Sequence, residues 1–126
     1  MILVDSDILI QYSRGDIAAA EWLEIASKRD ELVISVVNEI ELLFGSRDNR
    51  GLTETRQLLA TFEIIQIDEV ISKRASFLVD KYCLSHRLEM PDAMIAATAL
   101  VNNFELATIN KKDFRFIEGL ALVDYP

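Results

Sequence analysis

The sequence predicts an α/β fold, a three-layer α/β/α sandwich around a central parallel sheet of about five strands. Three observations predict it. Short β-branched runs alternate with longer helical patterns. The strand candidates are apolar nearly throughout, as strands covered on both faces are, and do not alternate with polar residues. No repeat, linker or composition break interrupts the chain. Residues 1–126 therefore read as a single domain, within the span of about 100–200 residues usual for one.

Each element has its own justification. Ile2-Leu3-Val4 is a buried strand, ended by its exit Asp5-Ser6-Asp7. Gly15-Asp16 opens a helix with Asp16 as N-cap, reaching Lys28 or Arg29. Leu32-Val33-Ile34-Ser35 is the second strand, and Val36 to Phe44 a helix closed by Gly45. Ser46-Arg47-Asp48-Asn49-Arg50-Gly51 reads as a loop, residues 53–61 as a short helix, and Ile64-Ile65-Gln66-Ile67 as the third strand. Asp68 caps the next helix, whose Ile71, Ala75, Leu78 and Tyr82 recur at helical spacing. Pro91 suits a first helical position, and Ala93, Ala96, Ala97 and Leu100 form a small-residue face that can lie close against a sheet. Glu105-Leu106-Ala107-Thr108 and Leu120-Ala121-Leu122-Val123 complete the strands.

Composition narrows the function. The chain is 51% apolar and 27% charged, with ample Leu, Ile and Val and only four Gly and two Pro, which excludes disorder. A lone Cys83 excludes an internal disulfide and points to a reducing compartment, and one His makes a zinc cage a poor fit. Residues 93–101 are the longest nearly apolar stretch, far below the roughly 20 that span a bilayer. The first residues lack the basic flank of a signal peptide. The expectation is a cytoplasmic protein without a membrane partner. Thirteen basic against 21 acidic residues give a net charge of −8. That disfavours passive binding of nucleic acid, whose phosphates are repelled over about 8–10 Å. A metal-dependent enzyme stays open, because bound divalent cations invert an acidic pocket.

Right-handed crossovers put all strand C-termini on one edge, where open α/β sheets carry their sites. Asp5 and Asp7 follow the first strand, Glu39 and Glu41 lie early in the helix after the second, and Asp68 ends the third. Asp92 begins the helix entering the fourth, and Asp113 lies beyond its end at Thr108. Each acid also has a structural reading. Asp7 and Asp68 suit helix caps, Asp92 a helix N-terminus whose dipole favours an anion, and Asn110-Lys111-Lys112-Asp113 a capping box. Only their coincidence at one edge is informative. At 100° per residue, Val36, Val37, Ile40, Leu43 and Phe44 form a core face, flanked equally by Glu39 and Glu41. Periodicity does not choose between these two. Leu42 falls opposite that face and reads as exposed, a hint of a partner surface.

Four stretches taken together resemble the sequential motifs of PIN-domain ribonucleases: residues 2–10 (Ile-Leu-Val-Asp5-Ser-Asp7-Ile-Leu-Ile), residues 34–45 around Asn38-Glu39-Ile40-Glu41, Asp92-Ala93-Met94-Ile95-Ala96-Ala97, and Ala107-Thr108-Ile109-Asn110-Lys111-Lys112-Asp113-Phe114. The short chain is similar to the VapC-type toxins of toxin–antitoxin pairs. The resemblance spans nearly the whole chain in order. It implies that Asp5, Glu41, Asp92 and Asp113 are catalytic and metal-binding, which settles Glu41 over Glu39, with Asp7, Thr108 and Asn110 supporting them. Asn38 stands where the family often carries Thr, a departure that implies looser local hydrogen bonding.

The chemistry is consistent with such a set. Two unit charges about 4 Å apart repel by roughly 4 kcal/mol at an effective dielectric of 20, so converging carboxylates need a counter-ion. All-oxygen ligands suit Mg²⁺, with Mn²⁺ as a substitute. A metal-activated water would then hydrolyse RNA phosphodiester bonds, which requires no catalytic His and leaves His86 a surface residue. Arg14, Arg47, Arg50, Lys111, Lys112 and Arg115 are candidates for the RNA backbone. The resemblance also implies a homodimer, and a protein antitoxin that inserts a segment into the active-site groove, with Leu42, Leu43, Phe44, Leu58 and Leu59 as candidate contacts. Three alternatives share the fold class. One is a catalytically silent binding protein. The second is an Asp-x-Asp phosphatase using Asp5-Ser6-Asp7, Thr108 and Lys111 or Lys112, though Leu9 stands where Thr or Val is expected. The third is a receiver-like domain with Asp68 as phosphoacceptor, though it lacks the Lys after the last strand.

Overall fold

The computed structural model describes residues 1–125. Among them, β1 (Ile2–Val4), β2 (Leu32–Ser35), β3 (Glu63–Ile65) and β4 (Glu105–Ala107) form one parallel sheet in the order β3-β2-β1-β4. Leu3 pairs with Val33 on one side and Leu106 on the other. The helices are α1 (Ser6–Ser13), α2 (Ile17–Arg29), α3 (Val36–Phe44), α4 (Asn49–Leu59), α5 (Glu69–His86) and α6 (Met90–Asn102), followed by a 3-10 turn at Lys111–Asp113.

The period-two alternation of the strands divides the core into two layers. Leu3, Val33 and Leu106 face the helices α5 and α6, where Ile71, Ala75, Leu78 and Tyr82 are all buried, as the stripe requires. Ile2, Val4, Ile34 and Ala107 face Ile8 and Leu9 of α1, Leu23 of α2 and Leu59 of α4. This is the three-layer sandwich the sequence implied. Ala93, Ala96 and Ala97 are fully buried, so the small-residue face packs as expected.

The sheet has four strands rather than five. The Leu120-Val123 segment lies beside β4 but is held only by a single parallel bridge, Leu106 with Leu122. Leu106 N–H donates to Ala121 O and Val123 N–H to Leu106 O, both at 2.8 Å. Beyond Val123 the chain leaves the sheet and lays Tyr125 edge-on to Trp22, with ring centroids 5.2 Å apart. Two other differences are local. Asp5 is the N-cap of α1, so the segment after β1 is a helix and not only a strand exit. Asp48 accepts from Gly51 N–H at 2.7 Å and starts α4 at Asn49, which shortens the expected loop.

The face of α3 is also rotated from expectation. Leu42 is 9% exposed and Asn38 fully buried, whereas Ile40 is 58% and Phe44 91% exposed. The cause is polar. Ser35 and Asn38 cap the helix reciprocally, and this draws Asn38 inward to the sheet edge. The apolar residues half a turn away then face outward.

Topology fixes where a site can form. β2 and β3 add on one side of β1 and β4 on the other. Connections leaving β1 and β4 therefore diverge to opposite faces, and the crevice lies between their C-terminal ends.

Candidate active site

Asp5 sits at that crevice. Its backbone N–H donates to Ala107 O of β4 at 2.9 Å, and its Oδ1 accepts from Ser6 N–H at 2.8 Å as the cap of α1. Asn38 Nδ2 reaches the same Oδ1 at 3.3 Å, and Thr108 Oγ1 donates to Oδ2 at 2.9 Å. Asp5 is thus tied to the ends of β2 and β4 as well as β1. It is 8% exposed. Burial first, and then the neighbouring charge of Asp7, push its carboxyl up to about 7, against the opposing hydrogen bonds from Thr108 and Ser6.

Asp7 holds the segment after β4. Its Oδ2 accepts from Ile109 N–H, Asn110 N–H and Asn110 Nδ2 at 3.1, 3.2 and 3.2 Å. Thr108 Oγ1 lies 3.1 Å from the same oxygen, so one hydroxyl proton stands between two carboxylates. Asp7 Oδ1 is buried with no hydrogen-bond partner among the described residues. Asp7 is therefore not the cap of α1, and Asn110 does not cap the 3-10 turn, because its side chain is engaged by Asp7.

Glu41 joins through Ser6. Ser6 Oγ donates to Glu41 Oε1 at 2.8 Å and accepts from Asn38 Nδ2 at 2.9 Å, while Asn38 Oδ1 accepts from Ser35 N–H at 2.9 Å. Glu39 has no place in this network. Asn38 binds three neighbours at once, so its presence does not loosen local bonding but organises it. Sequence reasoning passed over Ser6 and took Asn38 only for a departure that loosens local bonding. The Ser35-x-x-Asn38 spacing, a variant of the capping box, was the available signal.

Asp92 stands in the first turn of α6, half-buried. Burial pushes its carboxyl up to about 6, followed by the charges of Asp113, Glu41, Glu89 and Asp7 in that order. These acids, from four separate segments, therefore act on one point. Glu89, which sequence reasoning also missed, is the residue at the N-cap of α6. Asp113 is exposed at the end of the 3-10 turn. Asp68 lies apart from the cluster and caps α5, accepting from Ile71 N–H at 2.8 Å.

Among the described residues no three His, Cys, Asp or Glu side chains already close into a metal cage. The donors are all carboxylate oxygens, two of the carboxyls are displaced toward neutrality, and the buried Asp7 Oδ1 is unsatisfied. That set fits a hard divalent cation better than a soft one. Of the basic residues, Lys111 Nζ is turned to Tyr125 O at 3.1 Å and to Asp124 at 3.6 Å, and Arg50 pairs with Glu54 at 3.3 Å. His86 is an exposed residue stacked on Phe116 with ring centroids 4.1 Å apart. None of the described helices is long and apolar enough to cross a membrane.

The chain is similar to known proteins in sequence and in fold. The profile of the PIN domain family matches residues 2–119. Ribonuclease VapC10 of Mycobacterium tuberculosis is 45% identical over 121 residues, covering 95% of this chain and 90% of that protein. A chain of a toxin-antitoxin complex from Klebsiella pneumoniae superposes with a TM-score of 0.81 at 34% identity, over 96% of each chain. A chain of VapBC2 from Rickettsia felis, bound to a DNA fragment from their promoter, reaches a TM-score of 0.88 at 22% identity over the full length of both, a likeness of fold. With sequence and fold in agreement, the chain belongs to the PIN-domain family, in the group that includes the VapC ribonucleases.

Proposed function

We propose that this chain is a metal-dependent endoribonuclease that hydrolyses RNA phosphodiester bonds and acts as the toxin of a toxin–antitoxin pair. One observation carries the reading. Asp5, from the end of β1, and Asp92, from the start of α6, are pushed up to about 7 and about 6 by burial and by each other's neighbours. A fold gains nothing from assembling carboxylates in this way unless a cation joins them.

Asp5 and Asp92 are the principal ligands, Asp113 a third, and Glu41 an orienting group or a ligand through water. When bound, Mg²⁺ or Mn²⁺ lowers the pKa of water and offsets charge on the phosphate oxygens. The remaining residues hold that arrangement. Thr108 and Asn38 fix the two oxygens of Asp5, Ser6 fixes Glu41, and Asp7 holds the backbone between Thr108 and Asn110 on which Asp113 depends. The named relatives support the RNA substrate and the antitoxin partner. The exposed Ile40 and Phe44 offer an apolar surface for a homodimer. Of the candidate antitoxin contacts, Leu42 and Leu58 line a groove beside Glu41, whereas Leu59 is buried in the core. The single Cys83 suits the reducing cytoplasm.

The test is cleavage of total RNA in Mn²⁺ by purified wild-type, Asp5→Asn and Asp92→Asn proteins. Cleavage by the wild type, lost with EDTA and in both variants, is expected. Undiminished cleavage by both variants contradicts the reading.

A further inference from the structure

A groove of about 840 Å³ runs from Glu41 between the C-terminal end of α1, the 46–48 segment and α4. Glu41 belongs to both the groove and the acid cluster, so whatever lies in the groove leads directly to the site. Ile10, Leu42 and Leu58 contribute apolar surface, and Tyr12, 41% exposed, contributes an aromatic ring.

The groove is lined by three acids and two arginines. Two of its acids are already engaged: Asp48 caps α4 through Gly51 N–H at 2.7 Å, and Glu54 pairs with Arg50 at 3.3 Å. Its third, Glu41, accepts from Ser6 at 2.8 Å. Its two cations, Arg14 and Arg47, make no ion pair among the described residues. In a chain of net charge −8, two uncommitted guanidinium groups share one groove beside the acid cluster. A guanidinium fork matches phosphate, and an aromatic ring offers a stacking platform to an unpaired base.

Resting on the ribonuclease reading, we infer that this groove is the subsite for single-stranded RNA on one side of the scissile bond, with Arg14 and Arg47 on backbone phosphates and Tyr12 stacked against a base. The acid cluster alone repels RNA. The two arginines hold the strand and deliver it past Glu41, which accounts for how an acidic protein handles a polyanion.

The probe is a fluorescein-labelled, randomised single-stranded RNA 20-mer, titrated in anisotropy against the full-length Asp92→Asn protein at several salt concentrations. Each phosphate contact to single-stranded nucleic acid contributes about 0.7 to the slope of log K against log salt. An Arg14→Ala/Arg47→Ala pair in that background is expected to lower the slope by about 1.4, twice that value, whereas Arg14→Lys/Arg47→Lys retains most of it. Tyr12→Ala weakens binding and Tyr12→Trp restores it. Unchanged affinity and slope in the alanine pair, while the wild type still cleaves RNA, would overturn the subsite and leave the ribonuclease standing. The same result with loss of co-purifying antitoxin would assign the groove to the protein partner instead. A wild type that cleaves no RNA sinks both readings.

Discussion

The fully buried amide of Asn38 donates to Asp5 Oδ1 over 3.3 Å, so the first turn of α3 holds the carboxylate that ends β1. The same side chain accepts from Ser35 N–H and donates to Ser6 Oγ. Asn38→Ala removes one half of the reciprocal cap, the acceptor for Ser35 N–H, and leaves buried polar groups unpaired, each costing about 1–3 kcal/mol. We expect a loss of that order in urea unfolding. RNA cleavage falls by more than the loss of folded protein, because Asp5 loses one of its three side-chain hydrogen bonds and Ser6, which holds Glu41, loses its own donor.

Thr108 offers a more selective test. Its hydroxyl serves Asp5 at 2.9 Å and opposes the burial that raises that carboxyl. Thr108→Val keeps the shape and removes the proton. The Asp5 carboxyl should move further up from about 7, read by carboxyl NMR titration. Metal-dependent cleavage at neutral pH should fall and recover partly as pH is raised.

The raised carboxyls also set the pH dependence of stability. The fold holds protons on Asp5 up to about 7, against a reference value of 3.8. Over that interval the native state binds more protons than the unfolded chain, so stability falls as pH rises. A pKa unit corresponds to about 1.4 kcal/mol, which makes the Asp5 contribution on the order of a few kcal/mol. Metal-free protein should therefore unfold at lower urea at pH 8 than at pH 5. Asp5→Asn, which keeps a good N-cap, should flatten the dependence and be the more stable at pH 8.

The rotated face of α3 can be checked by substitution. Leu42→Ala in the core should cost about 2–5 kcal/mol. Phe44→Ser at a position 91% exposed should leave monomer stability within about 0.5 kcal/mol. If Ile40 and Phe44 form the homodimer surface, sedimentation of the Phe44→Ser protein shifts toward the monomer.

What the sequence displayed and what it concealed follow one division. The elements whose outlines depend on local chemistry were legible. The caps at Asp16 and Asp68, the 71/75/78/82 stripe and the alanine face of α6 all lie where the residues placed them. The edge rule grouped Asp5, Asp7, Glu41, Asp92 and Asp113 without any distance information, but it also swept in Glu39 and Asp68, which take no part in the cluster. The face of α3 was not legible, because periodicity counts apolar residues and this helix is oriented by a buried asparagine. The last strand was misjudged for a related reason. Leu120-Val123 has the composition of a strand, but pairing depends on where the chain goes next, and Tyr125 leaves the sheet for Trp22. Ser6 escaped notice and Asn38 was misread because their importance comes from contacts 35 and 33 residues away along the chain.

The most direct measurement is calorimetric titration of Mn²⁺ into metal-free protein near pH 6.5, repeated in two buffers of different ionisation enthalpy. Saturable heat accompanied by proton release is expected, since a cation displaces protons that Asp5 and Asp92 still hold there, and the Asp5→Asn/Asp92→Asn protein should show neither. No saturable heat from the wild type, or the same heat from the double variant, would mean that these carboxylates are not a metal centre.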